Sequence, residues 1–330
     1  MAFFDLPLER LREYRPEVRR PDDFDDFWHE TITRELARPL DVRVERVDTP
    51  LSTVEVHDLS WVGHGGHRVR GWLRLPVGTG GPLPTVVQYH GYAGGRGYPH
   101  GNLLHSAAGY AHFALEARGQ GWQVPAPTPA TPDAGPSLGE VHVPGMMTRG
   151  VLDHHDYYYL RVFVDALRLL QLAHEHDRVD STRIALSGTS QGGGMTIAVA
   201  GLAAMAGLPV HAAVAAVPFL CHFERAVGLT DSYPYKELVD FLQGNPQWAD
   251  RVFQTLSYFD GVHFAAHATA PTLFATGLMD TVCPPSTVFA AFNAWAHEDR
   301  EIEVYPWNGH EGGRDHFTWR ALHWLREHDV

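Results

Sequence analysis

The pentapeptide Gly188-Thr189-Ser190-Gln191-Gly192 is the feature that most narrows what this chain can become. It follows the short run RIAL (183–186) and precedes GGMTIAVAGLAAM (193–205), a helix-compatible stretch. A serine with glycines two residues to either side, set between a strand and a helix, has the strand–turn–helix context of a nucleophile elbow. Side chains at 188 and 192 would collide with neighbouring strands in so sharp a turn, and glycine tolerates the strained backbone. Ser190 then projects above the sheet at a helix N-terminus, where the helix dipole favours developing negative charge. The pattern is common, and alone it decides nothing.

The surrounding periodicity supplies the context. Residues up to about Leu40 suggest a helical segment, with Phe24, Phe27, Trp28, Ile32 and Leu36 at helical spacing. Strand-like runs follow at 42–47, 54–62 and 67–75, the last two separated by a Gly65-Gly66 turn. From Pro84 strands and helices alternate. TVVQY (85–89), 110–115, 183–186, 210–217, PTLFAT (271–276) and 301–305 read as strands; 157–175, 193–205, 287–297 and 317–326 read as helices. Residues 122–150 look irregular, and about 222–268 looks like a helical insertion. Alternation of this kind implies a mostly parallel sheet covered on both faces, with antiparallel strands at its start. The expected organisation is one domain over 1–330, with an N-terminal helical and β extension to about 80 and an inserted cap at about 222–268.

Two further residues complete the chemistry. PTLFAT runs into Asp280, and EIEVYPW (301–307) runs into Asn308-Gly309-His310-Glu311. A carboxylate and a histidine therefore lie just past strand ends, where open α/β sheets place their sites. The chain order Ser190, Asp280, His310 is the order of the α/β-hydrolase fold. Asp260, in SYFDG, is the rival acid, but it precedes its strand rather than following it. The oxyanion hole calls for the backbone N–H of Gln191 and one from the HGYAGG loop after TVVQY, for which Tyr92 is the candidate. Such a base must be neutral, so the rate should rise with pH through a value near or above the ordinary histidine value of ~6.5. Asp153-His154-His155-Asp156 reads as a solvated helix start rather than a metal site, since adjacent residues rarely converge on one ion.

Composition excludes several other functions. The formal charge is −13, from 26 basic and 39 acidic residues, which argues against nucleic-acid binding and against docking on anionic lipid. Only two cysteines are present, Cys221 and Cys283, too few for a disulfide framework and not in a metal-ligand spacing. The N-terminus lacks the pattern of a signal peptide and no apolar run approaches the ~20 residues of a membrane span, so a cytoplasmic protein is expected. A peptidase or other hydrolase of the same fold is the alternative, since fold does not fix substrate; the absence of a propeller region before the elbow weakens a prolyl-oligopeptidase reading of it. A non-catalytic binding protein is disfavoured because such proteins usually lose one of the three residues.

YHGYAGGRG, ARGQG, MTRGVLD, GTSQGGG, VPFLCHF, SYFDG, GLMDTVCPPSTVFAAFNAW and NGHEGG together closely resemble the acetyl xylan esterase / cephalosporin C deacetylase family, carbohydrate esterase family seven. Its three characteristic motifs stand here as Arg118-Gly119-Gln120, Gly188 to Gly192 and His310-Glu311. The resemblance implies an α/β-hydrolase fold and no metal or organic cofactor. It also implies deacetylation of xylo-oligosaccharides and cephalosporin C, and an intracellular homohexamer with its sites facing an internal cavity. It places Cys283, in the CPPS segment, and Pro218, in VPFLCHF, at the substrate pocket. Arg118 and Glu311 are expected to brace loops rather than react. One departure stands before the first motif: Glu116-Ala117 occupies the place of an expected Asp-Thr. The aromatics Phe223, Tyr233, Tyr235, Phe241 and Trp248 of the insertion are expected to offer an apolar face to a partner subunit.

Overall fold

The computed structural model describes residues 3–124, 126, 127, 130–133 and 145–330, so the expected irregular segment at 122–150 lies partly outside the described residues. The strands are β1 (Arg43–Val47), β2 (Val54–Val62), β3 (Arg68–Pro76), β4 (Leu83–Tyr89), β5 (Ala111–Leu115), β6 (Val179–Thr189), β7 (Ala212–Ala216), β8 (Thr272–Gly277) and β9 (Arg300–Tyr305). They form one sheet in the order β1-β2-β3-β5-β4-β6-β7-β8-β9. The first three strands and the β3–β5 pair are antiparallel. Every pair from β5 through β4, β6, β7 and β8 to β9 is parallel. This is the α/β-hydrolase architecture, and its antiparallel start matches the β-rich N-terminal sequence.

The helices are α1 (Leu8–Arg12), α2 (Phe24–Leu36), α3 (Leu104–Ala107), α4 (Tyr158–Glu175), α5 (Gln191–Ala206), α6 (Phe223–Leu229), α7 (Lys236–Gly244), α8 (Ala249–Ser257), α9 (Gly261–Ala265), α10 (Pro285–Ala294) and α11 (Arg314–Glu327). The central strands show why a parallel sheet needs cover on both faces. Successive side chains point to opposite sides, so Val86, Ala185, Val214 and Leu273 join Phe317, Trp324 and Leu325 of α11 in one apolar layer. Val87, Ile184, Leu186 and Phe274 join residues of α2, α4, α5 and α10 in the other. Each buried Val, Leu or Phe contributes roughly 1.5–3 kcal/mol, which explains the near-continuous apolar runs at these positions.

In α2 the spacing of Phe24, Phe27, Trp28 and Ile32 puts one face into the core, and Asp25 and Asp26 occupy the positive end of the helix. Trp28 Nε1 donates to the carbonyl of Tyr258 at 2.9 Å, tying this N-terminal helix to the segment after α8. α3 had no clear signal in the sequence, being a single turn. β6 is longer than RIAL alone suggested, because its first half, Asp180 to Arg183, is polar and partly exposed. α6 to α9 lie between β7 and β8. Among the described residues no helix is long and apolar enough to cross a membrane.

Candidate active site

β6 passes into α5 through a single residue, Ser190, at φ 59° and ψ −119°. A side-chain-bearing residue at positive φ is strained and persists only when its surroundings over-determine it. They do so here. The Ser190 N–H donates to Ala216 O at 2.9 Å, and its carbonyl accepts from Gly194 N at 3.0 Å and Phe219 N at 2.9 Å. The flanking glycines are required by space: a Cβ on Gly188 would stand 2.2 Å from the Gly192 carbonyl carbon, and one on Gly192 would stand 2.1 Å from Tyr89 O.

β8 and β9 end level with each other, Gly277 opposite Tyr305. The loops that follow are packed so tightly that a Cβ on Gly277 would lie 2.3 Å from Gly309 O. Met279 N donates to Asn308 O at 3.0 Å, which locks the acid loop to the histidine loop. Asp280 is fully buried. Its Oδ1 accepts from Val282 N at 2.8 Å and Cys283 N at 2.9 Å. Its Oδ2 lies 2.9 Å from His310 Nδ1, and His310 Nε2 lies 2.9 Å from Ser190 Oγ. A carboxylate only accepts, so Nδ1 carries the proton and the neutral ring leaves Nε2 to accept from the serine hydroxyl. Glu311 accepts from Asn308 Nδ2 and Gly309 N, both at 3.1 Å, and so folds the histidine loop on itself.

Gln191 is the first residue of α5, so its N–H has no acceptor within the helix. Among the described residues no protein group accepts the N–H of Tyr92 either. The loop bearing Tyr92 passes beside the serine, for a Cβ on Gly91 would stand 3.9 Å from Ser190 Cβ. Behind both donors lies Gln120. Its Oε1 accepts from Ala93 N at 2.9 Å, and its Nε2 donates to Tyr158 OH and Gln191 Oε1, each at 2.9 Å. Tyr159 OH also donates to Gln191 Oε1 at 2.9 Å. Arg118 is fully buried and makes a two-pronged contact with Asp165, both bonds 2.6 Å. Gly119, at φ 69°, turns the chain between them. Glu116 reaches Thr131, accepting from its N and Oγ1 at 2.9 Å, so the departure at this position has its own hydrogen bonds.

The other candidates fall into place. Asp260 accepts from His222 N (2.8 Å), Phe223 N (3.0 Å) and Val262 N (3.0 Å), which makes it a cap and brace within the insertion. Cys221 and Cys283 are both buried free thiols, and burial pushes both well above the usual thiol range. Pro218 is buried against the start of α5, 3.1 Å from where a Gly193 Cβ would stand. Within the segment 153–156, His154 stacks flat on Tyr258 and Asp153 Oδ1 accepts from His155 N; among the described residues the four do not converge on a metal position. The insertion aromatics divide: Phe223 and Tyr235 are buried, whereas Tyr233 and Trp248 are exposed. Tyr158, Tyr159 and Glu237 were not singled out by the sequence. Nothing in the spacing announces them, because each meets its partner across long chain separations.

Residues 1–328 match the family model described as Acetyl xylan esterase (AXE1). The chain is 26% identical over 309 residues to acetyl esterase Axe7A of Xylanibacter ruminicola, covering 90% of this chain and 65% of that protein, so it spans less than two thirds of that relative's length. The solved acetyl xylan esterase from Paenibacillus sp. R4 is 38% identical with a TM-score of 0.86, over 98% of this chain and 99% of that one. Acetyl xylan esterase 1 from Thermoanaerobacterium sp. JW/SL YS485 is 31% identical with a TM-score of 0.88, over 99% of this chain and 100% of that one.

Proposed function

This chain belongs to the acetyl xylan esterase family and is a carboxylic ester hydrolase, and from that premise we propose that it removes acetyl groups from small acetylated substrates through an acyl-enzyme on Ser190. Xylo-oligosaccharides and cephalosporin C are the substrates proposed. The observation that carries the mechanism is the relay of two 2.9 Å contacts from Asp280 through His310 to Ser190 Oγ.

His310 Nε2 takes the hydroxyl proton as Oγ attacks the ester carbonyl. Asp280 holds the tautomer and stabilises the imidazolium without itself becoming protonated. The oxyanion is received by the N–H groups of Tyr92 and Gln191, each donor worth about 3 kcal/mol in the transition state. The carbonyl–alkoxy bond then breaks, His310 returns its proton to the leaving alcohol, and water repeats the sequence on the acetyl-enzyme. Cys283 and Pro218, both buried, back the wall of the acyl pocket and so limit its size. A homohexamer in the cytoplasm completes the reading; the exposed Phe3, Tyr233, Trp248, Trp307 and Trp319 are the apolar surface available to partner subunits.

A fluorophosphonate probe should label the wild-type protein at Ser190 and fail to label Ser190→Ala, which should lose activity by about 10⁴-fold or more with an unchanged unfolding midpoint. Rates on a series of acyl lengths with a common leaving group, beside cephalosporin C and acetylated xylo-oligosaccharides, test the substrate class. Labelling at another residue, or a preference for long acyl chains, counts against the reading.

A further inference from the structure

The loop that carries Tyr92 is glycine-rich and has little regular structure to hold it. Gly94 N closes a turn onto Gly91 O at 3.0 Å, Ala93 sits at φ 65°, and Gln120 holds the Ala93 N–H. A backbone donor must be fixed to well under an ångström to be useful against an oxyanion, so the remaining anchors of this loop matter. The longest-reaching one is the side chain of Tyr92 itself. Its hydroxyl donates to Glu237 Oε1 at 2.5 Å, a contact between the loop after β4 and α7 of the insertion. The same hydroxyl accepts from Met146 N at 3.1 Å, and Glu237 Oε2 accepts from Met147 N at 3.0 Å. The ring is wedged edge-on between Trp122 and Phe219.

Glu237 is an expensive choice for a mere packing residue. It is 7% exposed; burial raises its carboxyl above the ordinary range, while the bonds from Tyr92 and the Met147 N–H pull it back toward the ionised form, and the adjacent Lys236 pairs with Asp240 instead. Among the described residues no cation pairs with it. A buried carboxylate without a cation is destabilising, and a neutral side chain of similar shape would serve stability better. What the charge provides here is a short, charge-assisted bond to the phenol.

We propose that Glu237 is a positioning residue for the oxyanion hole: gripped through its phenol, Tyr92 has its backbone N–H held where the developing oxyanion needs it. The insertion thereby supplies part of the catalytic geometry as well as cover. This rests on the oxyanion role given to Tyr92 above.

The test uses Tyr92→Phe, Glu237→Gln and the double variant in the full-length protein, with a short-chain trifluoromethyl ketone as the oxyanion mimic. Ser190 adds to its carbonyl, His310 takes the hydroxyl proton, and the resulting hemiketal oxygen occupies the hole. Tyr92→Phe keeps the ring and the backbone donor and loses only the grip. Each single variant should lower kcat and weaken ketone inhibition by about tenfold in parallel, with KM within about twofold. The double variant should be no worse than the poorer single one, because both remove the same contact. A folded Tyr92→Phe with wild-type kcat and wild-type ketone affinity overturns the proposal, and so does a change confined to KM or to unfolding. If Glu237→Gln does not fold, Tyr92→Phe decides. If the ketone does not inhibit the wild type, or the fluorophosphonate does not label Ser190, the oxyanion reading itself fails, which is a separate outcome from insensitivity of the variants alone.

Discussion

Asp260 and Asp280 are close chemical twins in different loops. Each is buried, each accepts two or three backbone N–H groups, and each has a cysteine and a histidine nearby. They differ in what is left over. Asp260 spends both oxygens on backbone, binding the start of α6 to the start of α9. Asp280 spends only Oδ1, on Val282 and Cys283, and turns Oδ2 to His310. The histidines differ as well. His263 gives its Nε2 to the carbonyl of Arg19 at 2.8 Å, whereas His310 has a serine hydroxyl at that distance scale. An aspartate beside a histidine is thus only a brace until one oxygen is withheld from the backbone and a nucleophile completes the line.

The largest effect separates the twins directly. Asp280→Asn should lower kcat by about 10⁴-fold, because the amide favours the wrong tautomer of His310, while leaving the unfolding midpoint nearly unchanged. Asp260→Asn should leave kcat of the folded enzyme within a fewfold but cost about 2–3 kcal/mol of stability, since an amide N–H then faces a backbone donor. Steady-state kinetics and urea denaturation of both variants check this. If Asp260→Asn were the one to abolish turnover, the assignment of the acid would be wrong.

A pH experiment sharpens the same contrast with a smaller effect. His222 and His263 are held below the ordinary imidazole range by burial, which outweighs the opposing pull of Asp260. On the other side of the sheet, burial lowers His105 to about 4. These groups protonate more readily in the unfolded chain, so the unfolded chain binds more protons as pH falls below about 6.5. Stability is therefore full above that pH and is lost on the way down, for His105 until about 4. Denaturation midpoints at neutral and mildly acidic pH should show the loss. Asp260→Asn should steepen it, because removing the nearby negative charge pushes His222 and His263 further down. A midpoint independent of pH between 7 and 5 contradicts the account.

Much of this was legible in the sequence, and the limit is physical. The elbow, the strand ends and the Ser-Asp-His order are local patterns, since a strand followed by a tight turn writes itself in neighbouring residues. Ser190, Asp280 and His310 could be named because each follows its own strand. The rival Asp260 could be ranked lower for the same reason, but its capping role needed the fold, because its partners at 222 and 223 lie in another loop. Gln120 was visible only through the motif it belongs to, and the grip of Glu237 on Tyr92 joins residues 145 positions apart. Buried side-chain networks of that kind are set by tertiary packing and leave no periodicity behind.

The smallest effect concerns the cysteines, which complete the likeness between the two loops. The ligand-type atoms of Asp280, Cys283 and His310 lie within 4.8 Å of one another, so a thiol stands close enough to the imidazole to pose as a second nucleophile. Two observations oppose that role. Cys283 is fully buried and burial pushes its thiol well above the usual range, so the reactive thiolate is suppressed. The imidazole nitrogen free to act as base is already aimed at Ser190 Oγ. Cys221, against Asp260, is equally buried and has no serine or active histidine to serve. Cys283→Ala should therefore keep kcat on a short acetyl ester within about threefold and cost about 1 kcal/mol for the small void it leaves, with Cys221→Ala indistinguishable from wild type in turnover. Iodoacetamide should leave the native enzyme active. A Cys283→Ala variant as inactive as Ser190→Ala would mean that the acid loop supplies a nucleophile as well as an acid, and the contrast drawn between the two loops would have to be rebuilt around the thiol.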